Sequence, residues 1–373
     1  MSARRKSMDF VLFITVISLL SIGVIMILSA SEYKTLVEYN DSFYYFKKQL
    51  LWSLLGLSAM FIMMNYDYKQ LRRFIMPLLA ISFISLILVL IPGVGLEVNG
   101  ARRWIAGPIP FAPAEFAKLC IIIFTAYGLS SEGERIKHFT SGVLPYLVVM
   151  GLAAGLILKQ PDLGTAISLA GIVFVMIFAA GARFSHLGGI ALVGIAAVFS
   201  AIALEPYRMQ RFMAFRDPWA DPQGTGFHII QGLYAIGSGG LFGLGLGQSK
   251  QKFLYLPENH TDFIFAIIGE ELGFIGASLV IMLFVLFVWR GLKIAVTSQD
   301  PFASLLATGI TAWVGVQAVI NIGVATGSLP VTGIPLPFIS FGGTSLLFTM
   351  AAVGILLNIS RYTNTRKKGI GSD

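Results

Sequence analysis

The 373-residue sequence contains few charged residues. Asp, Glu, Lys and Arg together make up 12% of it, whereas hydrophobic residues make up 56%, and the mean hydropathy is +0.79. Soluble domains carry about a quarter charged residues. This composition excludes an ordinary soluble domain and favours a bundle of membrane-spanning helices.

Cysteine and histidine are also scarce. The one cysteine, Cys120, lies inside an apolar run, which excludes a disulfide framework and a cysteine-ligated metal site. The four histidines lack the spacing of a zinc site. The net charge of +8 comes from basic residues spread over short loops, so it does not indicate binding to nucleic acid.

Apolar runs of roughly 17–25 residues, the length that crosses a bilayer, recur along the chain. The first run follows Arg4, Arg5 and Lys6 but is long enough to span, so we interpret it as an uncleaved helix rather than a signal peptide. About ten membrane spans are predicted. They lie at 8–30, 45–64, 74–93, 114–129, 142–159, 163–181, 186–204, 263–289, 302–325 and 339–360.

The basic residues of the loops predict the orientation of this all-α bundle. With the N-terminus inside, most short-loop Lys and Arg fall in inside segments, as the positive-inside rule requires. Both termini are therefore predicted to be cytoplasmic, and the long segment 205–262, between spans 7 and 8, is predicted to be external. Its apolar part, Gly226 to Leu244, is predicted to form a re-entrant or interfacial helix.

The unusual polar residues fall at the outer ends of these spans. Asp262 begins the eighth span and Asp162 begins the sixth, while Glu115 and Lys118 begin the fourth, three residues apart on one helix face. Ionisable residues at the edge of a membrane span are costly and suggest function. Their convergence predicts a functional site at the outer face.

The stretch Leu256 to Gly273 contains the main candidate, Asp262. The simplest account is a helix cap, because Asp262 and its neighbour Thr261 are residue types that favour that position. The nearby polar residues Glu258 and His260 favour chemistry instead. We interpret Asp262 as catalytic and its polar neighbours as shaping the site.

The other buried charges have more than one interpretation. Glu115, Lys118 and Asp162 form either a structural ion-pair cluster that locks three helices or part of the site, with Lys118 facing a bound phosphate. Glu270 and Glu271 either pair with a cation of the bundle or line a cavity. The sequence does not choose between these possibilities.

Basic residues near the same face suit a phosphate ligand. Arg102 and Arg103 either extend to lipid headgroups or hold a diphosphate, for which a guanidinium is well shaped. Lys250, in the external segment, is a further candidate. The glycine run 237–247 resembles a nucleotide loop, but no strand precedes it and it faces outside, so close approach of helices or lipid explains it better.

The external position limits the chemistry. ATP is absent outside the cytoplasm, so a synthetic reaction there needs an activated substrate, and a lipid-linked diphosphate sugar is both activated and membrane-held. A carboxylate such as Asp262 can deprotonate an attacking hydroxyl. Cationic side chains or a metal can stabilise the diphosphate leaving group.

Five polar or turn-rich stretches have distinctive sequences. They are Asn99–Ile105 (NGARRWI), Pro113–Lys118 (PAEFAK), Gln160–Ala166 (QPDLGTA), Tyr255–Phe265 (YLPENHTDFIF) and Pro335–Ser345 (PLPFISFGGTS). Together they resemble a known family, the SEDS family (shape, elongation, division and sporulation). The resemblance covers essentially the whole chain, and residues 269–273 and 321–324 resemble the FtsW/SpoVE branch more than RodA.

The resemblance implies one SEDS-type integral membrane domain over residues 1–373, in the bacterial cytoplasmic membrane. It implies a peptidoglycan glycosyltransferase that polymerises lipid II at the outer face, for division or sporulation, and releases undecaprenyl diphosphate. By the same resemblance, Asp262 deprotonates the acceptor sugar hydroxyl, and Glu115, Lys118 and Asp162 shape the cavity. A divalent cation, Mg or Mn, is compatible with this chemistry, but no spacing in the sequence indicates its ligands.

The resemblance also implies partners: a class B penicillin-binding protein, which is a transpeptidase, and other membrane proteins of the divisome or elongasome. Two other functions remain open at this point. One is a lipid II flippase, for which the deeper carboxylates Glu270 and Glu271 are the best support. The other is a non-catalytic scaffold for the transpeptidase.

Overall fold

A computed structural model of the chain describes residues 7–98, 100–107, 110–252, 256 and 260–363. These residues form helices joined by short loops, with one β-hairpin, Gly95–Val98 (β1) and Ala101–Ile105 (β2). The α-helices are Phe10–Tyr39 (α1), Tyr44–Asn65 (α2), Ile75–Leu88 (α3), Pro113–Glu132 (α4), Leu144–Leu158 (α5), Leu163–Ala179 (α6), Phe184–Ala203 (α7), Pro206–Arg216 (α8), Phe227–Ser238 (α9), Ile264–Thr297 (α10), Pro301–Ala325 (α11) and Thr344–Ser360 (α12).

The chain is a multi-pass membrane protein. Among the described residues, 7 helical segments are long and apolar enough to cross a membrane, and α6 and α12 are shorter apolar helices. The remaining predicted segment, 45–64, lies in α2. The all-α membrane class is therefore confirmed, whereas the number of spans and their orientation stay predictions.

Several helix boundaries differ from the predicted ones. The first helix continues to Tyr39 and α10 continues to Thr297, because helical hydrogen bonding does not stop where the apolar run ends. The last helix begins at Thr344, not at residue 339. Gly343, with φ +42°, ends the irregular segment 326–343 that precedes it.

Helix α11 lies at the centre of the bundle. It contacts α4, α6, α10 and α12, and most of its residues are buried. Helix α2 packs closely along α12. Helix α7 lies at the rim, where it contacts α6 and α8 and leaves most of its surface exposed.

The long segment between α7 and α10 contains α8 and α9, so the helix predicted within 226–244 is confirmed as α9. Arg208, in the first turn of α8, is buried and donates to the carbonyl oxygens of Ala201 (3.0 Å) and Leu158 (3.4 Å), at the ends of α7 and α5. Helix α9 packs on α10 and α11. The segment is therefore folded against the bundle.

Helix α10 is broken at Gly273, where φ is +66° and ψ is −167°. The glycine run 237–247 lies against this break. Leu244 N–H donates to the Glu270 carbonyl (2.9 Å), and Phe274 N–H donates to the Gly240 carbonyl (2.9 Å). Because an unpaired backbone group is costly inside a membrane protein, these bonds compensate for the interrupted helical ladder.

The run 237–247 needs glycine where its backbone touches helix α10. A Cβ on Gly239 would lie 2.0 Å from the Gly269 carbonyl oxygen, and a Cβ on Gly243 would lie 2.2 Å from that of Glu271. The interpretation of this run as a site of close helix approach is confirmed.

Gly243→Ala should destabilise the protein, because Gly243 has φ +82° and its new methyl group would meet main-chain oxygen. A left-handed backbone alone costs an L residue about 1–2 kcal/mol. Gly237→Ala is the matched control, since no atom lies within 4 Å of a Cβ there. Thermal unfolding in detergent should show a lower Tm for Gly243→Ala alone; equal melting temperatures would contradict the packing described.

Candidate active site

Asp262 lies just before α10, half-buried. The backbone around it is fixed by three consecutive hydrogen bonds. The carbonyl oxygens of residues 260–262 accept, in chain order, from Phe341 N–H (3.0 Å), Ser340 Oγ (2.6 Å) and Asn321 Nδ2 (2.9 Å). Asp262 is therefore held by α11 and the segment 326–343.

The helix-cap explanation of Asp262 and Thr261 is wrong. The residue that precedes the first helical residue of α10 is Phe263, and no side chain caps this helix. Asp162 does cap a helix: its Oδ1 accepts the Thr165 N–H of α6 (3.0 Å). The two aspartates thus occupy different positions relative to their helices.

His260 anchors the segment to α2. Its ring is buried and stacks on Tyr45, with ring centroids 4.5 Å apart, and Tyr45 also contacts Phe341 at 4.9 Å. Through this packing, His260 helps to hold the backbone next to Asp262 in place. The predicted site residue Glu258 lies outside the described residues.

Arg103 contacts the Asp162 end of α6 and lies near Asp262. Its Nη2 donates to the Pro161 carbonyl (2.7 Å), and its Nε lies 3.6 Å from Asp162 Oδ2. A Cβ placed on Gly333 would lie 3.5 Å from Arg103 Nη1 and 3.7 Å from Asp262 Oδ2. The guanidinium and the Asp262 carboxylate therefore border the same small space at Gly333.

The side chains of Arg102 and Arg103 lie apart, because successive side chains of a strand point to opposite faces. Arg102 pairs across the hairpin with Glu97 (2.8 Å), and both side chains are substantially exposed. Arg102 contacts Glu97, whereas Arg103 contacts Pro161 and Asp162, and a diphosphate site at these arginines stays a prediction. The hairpin was not predicted, although Asn99-Gly100 is a strong hairpin signal.

Glu115 and Lys118 form a second, separate cluster. The fully buried Lys118 Nζ lies 2.9 Å from Glu115 Oε1 and 5.1 Å from the ring centre of Trp313 in α11. Ser345 of α12 donates to Glu115 Oε2 (3.1 Å). This pair links α4, α11 and α12. The predicted three-residue cluster is not formed, because Asp162 lies with Thr165 and Arg103 instead.

Lys118 does not face a ligand space in this structure, because no part of its side chain is exposed. Lys250 is exposed, and its backbone N–H donates to Glu270 Oε1 (2.8 Å). The lysine two residues later, Lys252, is buried and donates to the Gly247 carbonyl (2.7 Å). Of the two lysines in segment 205–262, Lys250 is therefore the one that can meet a ligand.

An open cleft with a cavity volume of about 90 Å³ lies beside Arg103, between α6, α7 and α8. Arg211 is exposed at its rim, lies 5.9 Å from the Tyr207 ring centre, and forms no ion pair with a described residue. The cleft thus combines basic groups with an apolar wall. Its lining includes Arg103, Arg208, Arg211, Tyr207, Leu163, Ile167, Val198, Ile202, Phe212 and Val331.

The described residues do not provide a metal site. No three of their His, Cys, Asp and Glu side chains come together as ligands, and the guanidinium of Arg103 lies 3.6 Å from Asp162. No step below depends on a divalent ion.

Glu270 and Glu271 are fully buried. Glu271 accepts from Ser29 Oγ of α1 (2.6 Å) and from Ser249 N–H (3.3 Å), and Glu270 accepts from Ser249 Oγ and Lys250 N–H. These partners are neutral donors, an arrangement that was not among the predicted alternatives. The sequence carried no signal for it, because Ser29 is remote from the carboxylates along the chain.

Comparison with known proteins gives the family. The FtsW/RodA/SpoVE model, described as "Cell cycle protein", matches residues 10–365. The chain belongs to this family. It is 48% identical to stage V sporulation protein E of Bacillus subtilis, over 97% of this chain and 100% of that protein. It is 45% identical to the probable peptidoglycan glycosyltransferase FtsW of Trichlorobacter lovleyi, over 96% and 94% of the two chains.

Solved structures share the fold. A chain of a peptidoglycan synthase complex that coordinates polymerization and crosslinking is 31% identical, with a TM-score of 0.78, over 96% of this chain and 99% of that one. The rod shape determining protein RodA of Thermus thermophilus is 30% identical, with a TM-score of 0.70, over 95% and 97% of the two chains. The family's fold therefore extends over nearly the whole chain.

Asn321→Leu should destabilise the site, because it removes the donor to the carbonyls of Asp262 (2.9 Å) and Ile334 (2.8 Å). Each buried acceptor left unpaired costs about 1–3 kcal/mol. Gln317→Leu, one turn earlier and equally buried, is the control, since its Nε2 donates to no described group. Thermal unfolding should show a loss for Asn321→Leu only; an equal loss in both variants would contradict this role.

Proposed function

We propose that this chain is a peptidoglycan glycosyltransferase that polymerises lipid II at the outer face of the bacterial cytoplasmic membrane. Family membership and relatives named as peptidoglycan glycosyltransferases support the activity. The active site is assigned from one observation. The main chain of Asp262 is held by hydrogen bonds, and its carboxylate borders the same space as Arg103.

In this proposal Asp262 is the general base. Its carboxylate takes the proton of the acceptor sugar hydroxyl, whose oxygen attacks the anomeric carbon of the donor sugar. The bond from that carbon to the diphosphate breaks, and undecaprenyl diphosphate leaves with the bonding electrons. The hydrogen bonds to residues 260–262 keep the carboxylate in place, so little reorganisation is needed.

The cleft at α6, α7 and α8 suits the lipid diphosphate. Its wall from Ile167, Val198 and Ile202 can cover an isoprenoid chain, while Arg103 and Arg211 provide guanidinium groups at its rim. Guanidinium groups match phosphate oxygens in geometry and charge. Arg103 is the group best placed to stabilise the charge of the leaving group, because it is also the one next to Asp262.

The proposal includes the organisation expected from the sequence. Residues 1–373 form one integral membrane domain with both termini cytoplasmic, and the segment 205–262 lies outside. Similarity to a chain of a peptidoglycan synthase complex supports assembly with a class B penicillin-binding protein. Similarity to stage V sporulation protein E and to FtsW supports a role in sporulation or division.

The flippase alternative is weakened by the partners of Glu270 and Glu271. Both carboxylates accept hydrogen bonds from serine and backbone donors that fasten a loop. A scaffold without activity needs no carboxylate at position 262, so replacement of Asp262 separates it from an enzyme.

Purified protein with its transpeptidase partner should convert lipid II in detergent to glycan polymer, resolved by gel electrophoresis. Asp262→Asn should lower the rate by about 10²–10⁴-fold, the usual contribution of a general base. Unchanged polymer from Asp262→Asn would contradict the catalytic assignment. Lipid II flipping in vesicles by a wild-type protein that makes no polymer would favour transport.

The two neighbouring arginines form a matched pair for the leaving-group assignment. Arg103→Gln should lower kcat by about 10²-fold, as loss of one transition-state donor does. Arg102→Gln should remain near the wild-type rate, because its exposed ion pair with Glu97 contributes little. The same polymerisation assay measures both, and equal losses would contradict a specific role for Arg103.

A further inference from the structure

The mechanism above makes no use of Glu270 and Glu271, although both are fully buried. Burying a carboxylate in a membrane protein is costly, and an apolar pair would pack a bundle at a lower cost. We call these two glutamates, with their partners Ser29, Ser249 and Lys250, the carboxylate clasp. Its geometry indicates what the two carboxylates do.

The clasp joins three parts of the chain. Both Glu271 oxygens lie within 2.7 Å of Ser29 Oγ in α1, and Glu271 Oε1 also accepts the Ser249 N–H (3.3 Å). Glu270 Oε1 accepts the Lys250 N–H (2.8 Å), and Glu270 Oε2 accepts the Ser249 hydroxyl. Helix α10, helix α1 and the loop at 249–250 are therefore tied together at one point.

The position of the clasp along α10 connects it with Asp262. The helical segment 264–272 begins just after Asp262 and ends at the break at Gly273. Because the helical ladder is interrupted there, this segment is not held to the rest of α10 by continuous hydrogen bonds. The clasp, on the last turn before the break, attaches it to α1 and to the loop.

We propose that Glu270 and Glu271 are positioning residues for glycosyl transfer, which hold the Asp262-bearing end of α10 and the Lys250 loop in register. They act through hydrogen-bond geometry and not through negative charge or proton exchange. The catalytic part of this proposal rests on the proposed function, whereas the clasp itself is testable without activity.

Glutamine can replace either glutamate within this geometry. At position 270, its carbonyl can accept the Lys250 N–H, and its amino group can donate to the Ser249 hydroxyl, which is also an acceptor. At position 271, its carbonyl can accept the Ser249 N–H while its amino group donates to Ser29. Alanine removes these contacts and leaves the loop donors unpaired.

The test compares Glu270→Gln with Glu270→Ala, and Glu271→Gln with Glu271→Ala, in the full chain with its partner. The alanine variants should lose about 10²-fold in kcat with little change in KM, as a misplacement of about 1 Å does. Amide hydrogen exchange over 244–252 should accelerate in them. The glutamine variants should keep kcat within about threefold of wild type and should keep slow amide exchange over 244–252. This is expected because glutamine preserves the hydrogen bonds in the same geometry.

Serine variants give a milder test in case an alanine variant fails to fold. Ser29→Ala removes a donor to Glu271 and should reduce kcat and loop protection partially. Ser31→Ala is its control, because that buried hydroxyl bonds to the Ile27 carbonyl of its own helix (2.7 Å). For Ser29→Ala and for Ser31→Ala, kcat is compared with the Tm of the same variant.

Three outcomes would overturn the proposal. Glutamine variants as inactive as the alanine variants would show that charge or proton exchange is required. Alanine variants with wild-type kcat would contradict the positioning role. Alanine variants with unchanged amide exchange over 244–252 would show that the clasp does not hold this loop. A wild-type chain that makes no polymer would instead overturn the proposed function, while the exchange data would still decide whether the clasp exists.

Discussion

The site depends on keeping one irregular segment, residues 326–343, hydrogen-bonded inside a helical bundle. Non-helical backbone is tolerated at membrane depth only where its polar groups find partners within the protein. Asn321 provides one by donating to the Ile334 carbonyl, and Ser340 Oγ provides another by accepting the Leu336 N–H. The same two side chains hold the carbonyls of Asp262 and Thr261. The same side chains therefore both support segment 326–343 and fix the position of Asp262.

The segment reaches the other helices through close backbone contacts. A Cβ on Gly23 of α1 would lie 2.5 Å from the Phe338 carbonyl oxygen, and one on Gly164 of α6 would lie 2.8 Å from that of Thr332. Gly333 leaves the space that Arg103 and Asp262 border. Residues from α1, α6 and the hairpin thus depend on the path of this one segment.

Composition and apolar runs were enough to predict the fold class and the approximate positions of the long apolar helices, because both follow from the cost of polar groups in a bilayer. The importance of the region around Asp262 was also predictable, since the region joins a polar loop to an apolar helix. The partners of these residues were not predictable. Ser29 and Glu271, or Asn321 and Asp262, meet only through tertiary packing, and hydropathy carries no information about such pairs. Arg102 and Arg103 looked equivalent until the hairpin separated them.

The two ends of the bundle use polar residues differently. At the end away from Asp262, the ion pairs of Arg72 with Asp300 and of Arg290 with Asp9 close the helix ends directly. Those aspartates also cap α11 and α1, so charge and helix geometry satisfy one another. At the Asp262 end, by contrast, α10 begins without a side-chain cap and is broken at Gly273. The groups that hold this end in place come from elsewhere in the chain, so Asp262 does not have the capping role that Asp162 fulfils in α6.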